Sequence, residues 1–202
     1  MRFDDTNPDA EEAIYFEEIE KTIAWLGFKP DRVTYSSDNF DKLFELAVKL
    51  ITLGKAYVCL CSKEEQNLQR GGSDGKAGPR YRCEHAERSV KDNLEMFNAM
   101  KEGKYEPGMA VLRMKMDIES PNPQMWDLAA YRVKKEKHVR RPEWCIFPTY
   151  DFTHSLCDAL EGVTHSLCTT EFVMSRESYD WLNGVLGMEG PMQREFGKLK
   201  VS

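Results

Sequence analysis

Two stretches near the start of the chain carry apolar residues at helical spacing, each behind a short extended segment and each closed by a glycine. No other feature constrains the fold as much. Phe16, Ile19, Ile23 and Leu26 fall at i, i+3, i+7 and i+10 before Gly27. Ahead of them, Thr6-Asn7-Pro8 followed by Asp9, Glu11 and Glu12 has the residue types of a helix start. Val33-Thr34-Tyr35 reads as a strand, and Phe40, Leu43, Phe44, Ala47, Leu50 and Ile51 repeat the helical spacing up to Gly54. A helix with one apolar stripe must lay it on a partner. The order strand, helix, strand, helix makes that partner a sheet, so the fold class is α/β.

After Tyr57 the character changes. A glycine-rich stretch, Arg70 to Gly78, has little to bury and marks an insertion, placed at 58–143 between a first part, 1–57, and a second part, 144–202. Within it, Ser89 caps a helix with Val90, Leu94 and Phe97 on one face. From Ala110 to Asp117, apolar residues alternate with Val111, Arg113, Lys115 and Asp117, the period of a half-exposed antiparallel strand with a basic outer face. Val133 to Arg141 is the densest positive run and reads as a hairpin or loop ended by Pro142. Trp144 to Phe147 reads as a buried strand. Asp151 is placed to cap a helix carrying Phe152, Leu156, Ala159 and Leu160, and Ser175 to cap a last one with Tyr179, Leu182 and Leu186.

Composition narrows the function classes. At 41% hydrophobic and 11% aromatic the chain can bury a core, which excludes disorder and coiled coil. A net charge of −6, from 28 Lys+Arg against 34 Asp+Glu, gives no overall attraction to phosphate, so any RNA contact needs a local basic stripe. No apolar run approaches the roughly 20 residues that span a bilayer, so no membrane partner is expected, and nothing points to DNA. The acidic Met1-Arg2-Phe3-Asp4-Asp5 is unlike a signal peptide. Six cysteines are too sparse for a disulfide scaffold, so reduced thiols and a cytoplasmic location are expected.

Cys59-Leu60-Cys61 and Cys83-Glu84-His85 make a C-x-C, 21-residue gap, C-x-H pattern. Those four ligand types suit tetrahedral zinc in a structural role, since four protein ligands leave no open position. His154, Asp158 and Glu161 share one side of a helix and read as solvated or helix-pairing groups rather than an acid–base set. Asp4 and Asp5 directly follow a short strand, where an open α/β sheet binds ligands. Neither familiar nucleotide-binding glycine loop is present.

Arg2-Phe3-Asp4-Asp5-Thr6-Asn7-Pro8, Tyr150-Asp151-Phe152-Thr153-His154 and Thr164-His165-Ser166-Leu167-Cys168-Thr169-Thr170-Glu171-Phe172 closely resemble the catalytic core of the glutaminyl-tRNA synthetases, and Ser175-Arg176-Glu177-Ser178-Tyr179 resembles the eukaryotic branch. The resemblance runs the length of the chain. It implies a class I synthetase: a split Rossmann-like parallel-sheet domain with an inserted α+β domain that binds the tRNA acceptor end. Glutamine, ATP with Mg2+ and glutamine tRNA are the implied substrates and partners. By resemblance Asp5 binds the α-amino group of glutamine, Tyr150 reads the side-chain amide, His154 and Cys168 shape the pocket, and Gln193 helps recognise the amide. Thr169, Lys198 and Leu199 match positions that line the ATP site. Arg80, Arg82, Arg113, Lys115, Lys134, Lys135, Arg140 and Arg141 are the implied tRNA contacts, while Met174 stands where bacterial members carry an acid.

Glutamate-specific relatives tend to carry arginine where this chain has Cys168. A γ-carboxylate needs a cation to offset its desolvation, whereas a neutral amide does not, so Cys168 favours glutamine. The family's His-Ile-Gly-His and Lys-Met-Ser-Lys-Ser type motifs, which stabilise the charge-rich phosphate of adenylation, do not occur in these residues. The implied assignment is therefore a core fragment with no catalytic residue assigned and little or no adenylation by itself. A non-catalytic RNA-binding, zinc-stabilised module and a glutamate-specific relative are the alternatives.

Overall fold

The computed structural model describes residues 1–9, 13–72 and 78–197. Strand β1 (Arg2–Phe3) lies parallel to β2 (Thr34–Tyr35), and helix α1 (Ala13–Trp25) crosses between them. Gly27, at φ 86°, ends that helix region as its position foretold. The expected apolar stripe is only partly used. Phe16 packs on the rings of Phe3 and Tyr35, at centroid distances of 4.8 and 5.7 Å, whereas Ile19, Leu26 and the neighbouring Trp25 and Phe28 stay exposed.

Helix α2 (Phe40–Thr52) realises its stripe: Phe40, Leu43, Ala47, Leu50 and Ile51 are wholly buried, and Phe44 packs against the same core while partly buried. They face a four-stranded antiparallel sheet of β3 (Ala56–Cys59), β4 (Val111–Met114), β5 (Ala129–Val133) and β6 (Ile146–Pro148), in that order. Helix α4 (Val90–Lys101) starts at Ser89, whose side chain accepts from Asp92 N as expected. Its buried face, however, is Asn93, Phe97 and Met100, with Val90 outside. Helix α5 (Tyr150–Leu160) follows β6 directly, and Thr149, not Asp151, caps it by accepting from Phe152 N. Helix α6 (Ser175–Leu186) has no side-chain cap, because Ser175 already lies within it. The last strands, β7 (His165–Thr169) and β8 (Met192–Phe196), pair parallel on either side of α6.

One hydrophobic core joins α2, α4, α5 and α6 to the antiparallel sheet. The sheet runs from Ala56 to Pro148, and its last strand, Ile146–Pro148, is the buried strand expected at Trp144 to Phe147. The main correction concerns β4. As an interior strand it is covered on both faces, so Arg113 is 2% exposed rather than part of a basic outer surface. Leu112 and Met114 enter the main core, while Arg113 sits opposite Tyr57 on the face that also carries Cys59. The short helix α3 (Lys63–Gln69) covers that second face.

Candidate active-site cleft and metal centre

A cleft lies between α5, α6, β7 and β8, lined by Tyr150, Asp151, His154, Cys168, Phe172, Ser175, Ser178, Tyr179 and Gln193. Four of the five sequence-selected glutamine residues therefore converge. Tyr150 and His154, one turn apart on α5, stack at 5.1 Å, with the Tyr150 hydroxyl 3.1 Å from His154 Nδ1. Cys168 and Gln193 come from paired parallel strands, β7 and β8. Burial, followed by the charge of Glu195, pushes the Cys168 thiol up, so it meets the cleft uncharged.

Beneath these residues is a network that the sequence reading missed. Asp158, 4% exposed, accepts from the Tyr179 hydroxyl at 2.9 Å and pairs with Arg2 at 2.7 Å and His154 Nε2 at 3.3 Å. Burial opposes the Asp158 charge, but the hydrogen bond from His154 and the neighbouring Arg2 guanidinium outweigh it and hold the carboxyl below its usual range. Burial also drives the Tyr150 hydroxyl up to about 12, helped by the charges of Asp4 and Asp158, so it stays protonated at neutral pH. Glu161 lies 3.7 Å from Arg2 and accepts from the Thr34 hydroxyl, so the trio at 154, 158 and 161 belongs to an ion-pair network rather than to solvent. Only its i, i+4, i+7 spacing signalled this.

Asp5 is absent from the cleft lining. Its carboxylate is 2% exposed and accepts from Ser37 N at 2.9 Å and Ser37 Oγ at 2.6 Å, because a buried charge needs such donors. Its neighbour Asp4, on the opposite side of the chain, is the one whose charge reaches Tyr150. Thr169 closes β7 outside the lining, bonded to Glu171, while Lys198 and Leu199 lie outside the described residues.

The basic residues are mostly occupied within the chain. Arg82 pairs with buried Asp127 at 2.8 Å, and Arg80 donates to the carbonyls of Ile118, Glu119 and Ser120. Lys115 donates to Ala86 O and pairs with Glu87. Lys134 pairs with Asp9, Arg140 with Asp38, and Arg141 with Asp41 and Glu143. Lys135, facing Glu106 at 3.6 Å, remains well exposed. His138 organises this run: its Nδ1 accepts from Arg140 N and Arg141 N, so Nε2 carries the proton and donates to Asp5 O at 2.8 Å. Buried Arg113 has no route to a phosphate.

The second constellation formed as its spacing predicted. The donor atoms of Cys59, Cys61, Cys83 and His85 all lie within 4.8 Å of one another, and the three cysteines are buried. Cys59 Sγ is 3.8 Å from Cys83 Sγ, and Cys61 Sγ is 3.5 Å from His85 Nδ1. A tetrahedral ion with metal–sulfur bonds of about 2.3 Å and metal–nitrogen bonds of about 2.05 Å separates such ligands by about 3.75 and about 3.55 Å. The Cys59–Cys83 contact pulls the Cys59 thiol below its ordinary range and pushes Cys83 above it, so the two sulfurs share one proton between them. The donor set and its size fit a divalent ion that favours thiolate and imidazole.

A parallel-strand scaffold around a cleft, joined to an antiparallel sheet with its own ligand cluster, defines the class I synthetase architecture that the sequence resemblance implied. The chain belongs to the class I tRNA synthetases (E and Q): the model of their catalytic domain matches residues 1–202. It is 60% identical to a glutamine–tRNA ligase of Hypocrea virens and 55% identical to those of Saccharomyces cerevisiae and, as a probable one, Schizosaccharomyces pombe. All of this chain is covered in each comparison, but it spans only 32%, 25% and 25% of those proteins. A glutamate tRNA ligase from Elizabethkingia meningosepticum shares the fold at a TM-score of 0.64 and 19% identity, over 100% of this chain and 44% of that one.

Proposed function

We propose that this chain supplies the amino-acid pocket of a cytosolic glutamine–tRNA ligase, which uses ATP with Mg2+ to activate glutamine and passes it to the 3′ end of glutamine tRNA. The observation that carries this reading is the chain of contacts from Asp158 through His154 to the Tyr150 hydroxyl, which faces the cleft beside Cys168 and Gln193. The carboxylate of Asp158 can only accept, so His154 Nε2 donates to it, and in the tautomer protonated at Nε2 alone Nδ1 accepts from the Tyr150 O–H. Tyr150 then turns its oxygen lone pairs to the cleft. A side-chain amide N–H2 satisfies them, while a γ-carboxylate would face lone pairs without a cation, since Cys168 stands where a guanidinium would be needed. Free thiols suit a reducing compartment.

The Cys59, Cys61, Cys83 and His85 cluster would hold zinc as a structural ion, pinning β3 to the segment after the glycine-rich stretch. Acceptor-stem contacts would rest on groups such as Lys135 that remain free of strong pairing. Because most of the basic run is tied up in ion pairs, the RNA-module reading is the weaker one. Calorimetric titration with glutamine and with glutamate tests the pocket: glutamine is expected to bind at least about tenfold more tightly, a difference of about 1.4 kcal/mol. Cys168→Arg is expected to shrink or invert that ratio. Equal binding of the two amino acids by the unmodified chain would refute the glutamine assignment.

A further inference from the structure

Among the described residues, Arg113 is a buried guanidinium whose hydrogen bonds reach no carboxylate, and it faces the cysteine cluster. The Asp127 carboxylate, in an interior turn at φ 47°, accepts from Arg82 Nε and Nη2, the Tyr57 hydroxyl and Met116 N. Asp151 and Asp127 both act on Arg70, another cation of this region. Arg113 itself pairs with neither carboxylate. Its own hydrogen bonds go to neutral acceptors: Nε to the Asp127 carbonyl at 2.9 Å and Nη1 to Gln69 Oε1 at 3.0 Å. With Arg113 2% exposed and Gln69 4% exposed, solvent does not settle the surplus charge.

Gln69 passes this contact on. With its oxygen held by Arg113, its amide nitrogen points at Cys61 Sγ, 3.2 Å away. Strand pairing brings the cation to the same place from the other side: Tyr57 is opposite Arg113 and Cys59 is opposite Val111, so Cys59 and Arg113 share one sheet face. Three thiolates and a neutral imidazole around a divalent ion leave one net negative charge, equal and opposite to the surplus on Arg113.

We infer that Gln69 and Arg113 form the outer shell of the Cys59, Cys61, Cys83 and His85 centre, Gln69 by donating to the Cys61 sulfur and Arg113 by fixing that amide and balancing the anionic metal site. This rests on the zinc reading of the cluster. Outer-shell partners of metal ligands tune affinity by about 10- to 100-fold. A glutamate at 69 gives Arg113 an ion-pair partner but removes the donor to sulfur, so it separates metal support from folding.

The test uses the full chain, with zinc affinity measured by competition against a chromophoric chelator and the ligand field read by cobalt(II) substitution. Wild type is expected to take one cobalt(II) with an intense thiolate-to-metal band. Gln69→Glu and Gln69→Leu are expected to lower zinc affinity about 10- to 100-fold and shift that band. In EDTA, Gln69→Glu should melt no lower than wild type. Zinc affinities of both variants within twofold of wild type, with an unshifted band, would overturn the inference while leaving the zinc reading intact. Failure of wild type to bind cobalt or zinc would overturn the zinc reading first and this inference with it.

Discussion

The antiparallel half of the molecule and the parallel strand pairs that flank it are built differently. Strand β4 lies between two neighbours and is covered above and below, and Phe97, Leu112, Met114 and Phe147 have no exposure at all. In β7 and β8 the pattern reverses: Leu167 is 71% exposed, and Met192 and Phe196 are also out in solvent. The antiparallel sheet closes on its own side chains and buries even its arginine. The parallel pair leaves side chains facing outward and contributes Cys168 and Gln193 to the cleft, whose other wall is α5 and α6 of the closed core. The cleft thus lies where the two parts meet.

The contrast can be broken by truncation in each half. Phe97→Ala is expected to cost about 3–5 kcal/mol, as a large aromatic deleted from a closed core does, measured by urea unfolding. Stripping the metal comes next. If the cluster holds zinc, free zinc at a thousandfold its Kd stabilises the fold by about 4 kcal/mol, so EDTA should lower the melting temperature, and Cys83→Ser should abolish that response.

Asp158 joins the two halves through Arg2, His154 and Tyr179. Asp158→Asn is expected to cost about 2–3 kcal/mol, since Arg2 loses one of its buried carboxylate partners. Because the folded Asp158 carboxyl is held below its unfolded value of about 3.9, its contribution is fully present above that pH and is lost as pH falls through the folded pKa. Wild type and Asp158→Asn should therefore converge in stability as pH drops below about 4. The smallest effects belong to the exposed surface: Leu167→Ala and Lys135→Ala should each change unfolding free energy by no more than about 0.5 kcal/mol. A cost for Leu167→Ala comparable with that of Phe97→Ala would erase the distinction between the halves.

Residues close in sequence were read well. The Phe40 to Ile51 stripe and the Ser89 cap each depend on neighbours within one or two turns, where spacing decides which side chains meet. The C-x-C and C-x-H pairs were legible for the same reason, since each pair is a local chelate. Misreadings came where the partner is distant. Alternation around Arg113 was real, yet whether its outer face meets water depends on Gln69, 44 residues away, and on the Asp127 turn. The α1 stripe was equally regular, but among the described residues only part of it finds a surface to cover. Asp5 looked free after its strand, and Ser37, 32 residues on, takes both its oxygens.

The sequence by itself determined most local elements and the metal-ligand pairs, because periodicity and chelate spacing are short-range properties of the chain, while the cleft residues were legible only through the family resemblance. Only the tertiary structure decided which charges are buried and what each one faces. It tied the basic run to the surface carboxylates of Asp38, Asp41 and Glu143, joined Asp158 to Arg2, His154 and Tyr179, and placed Arg113 behind the cysteines. The physical reason is that the cost of an ion and the direction of a hydrogen bond depend on desolvation and on partners across the fold, and neither exists until distant segments pack together.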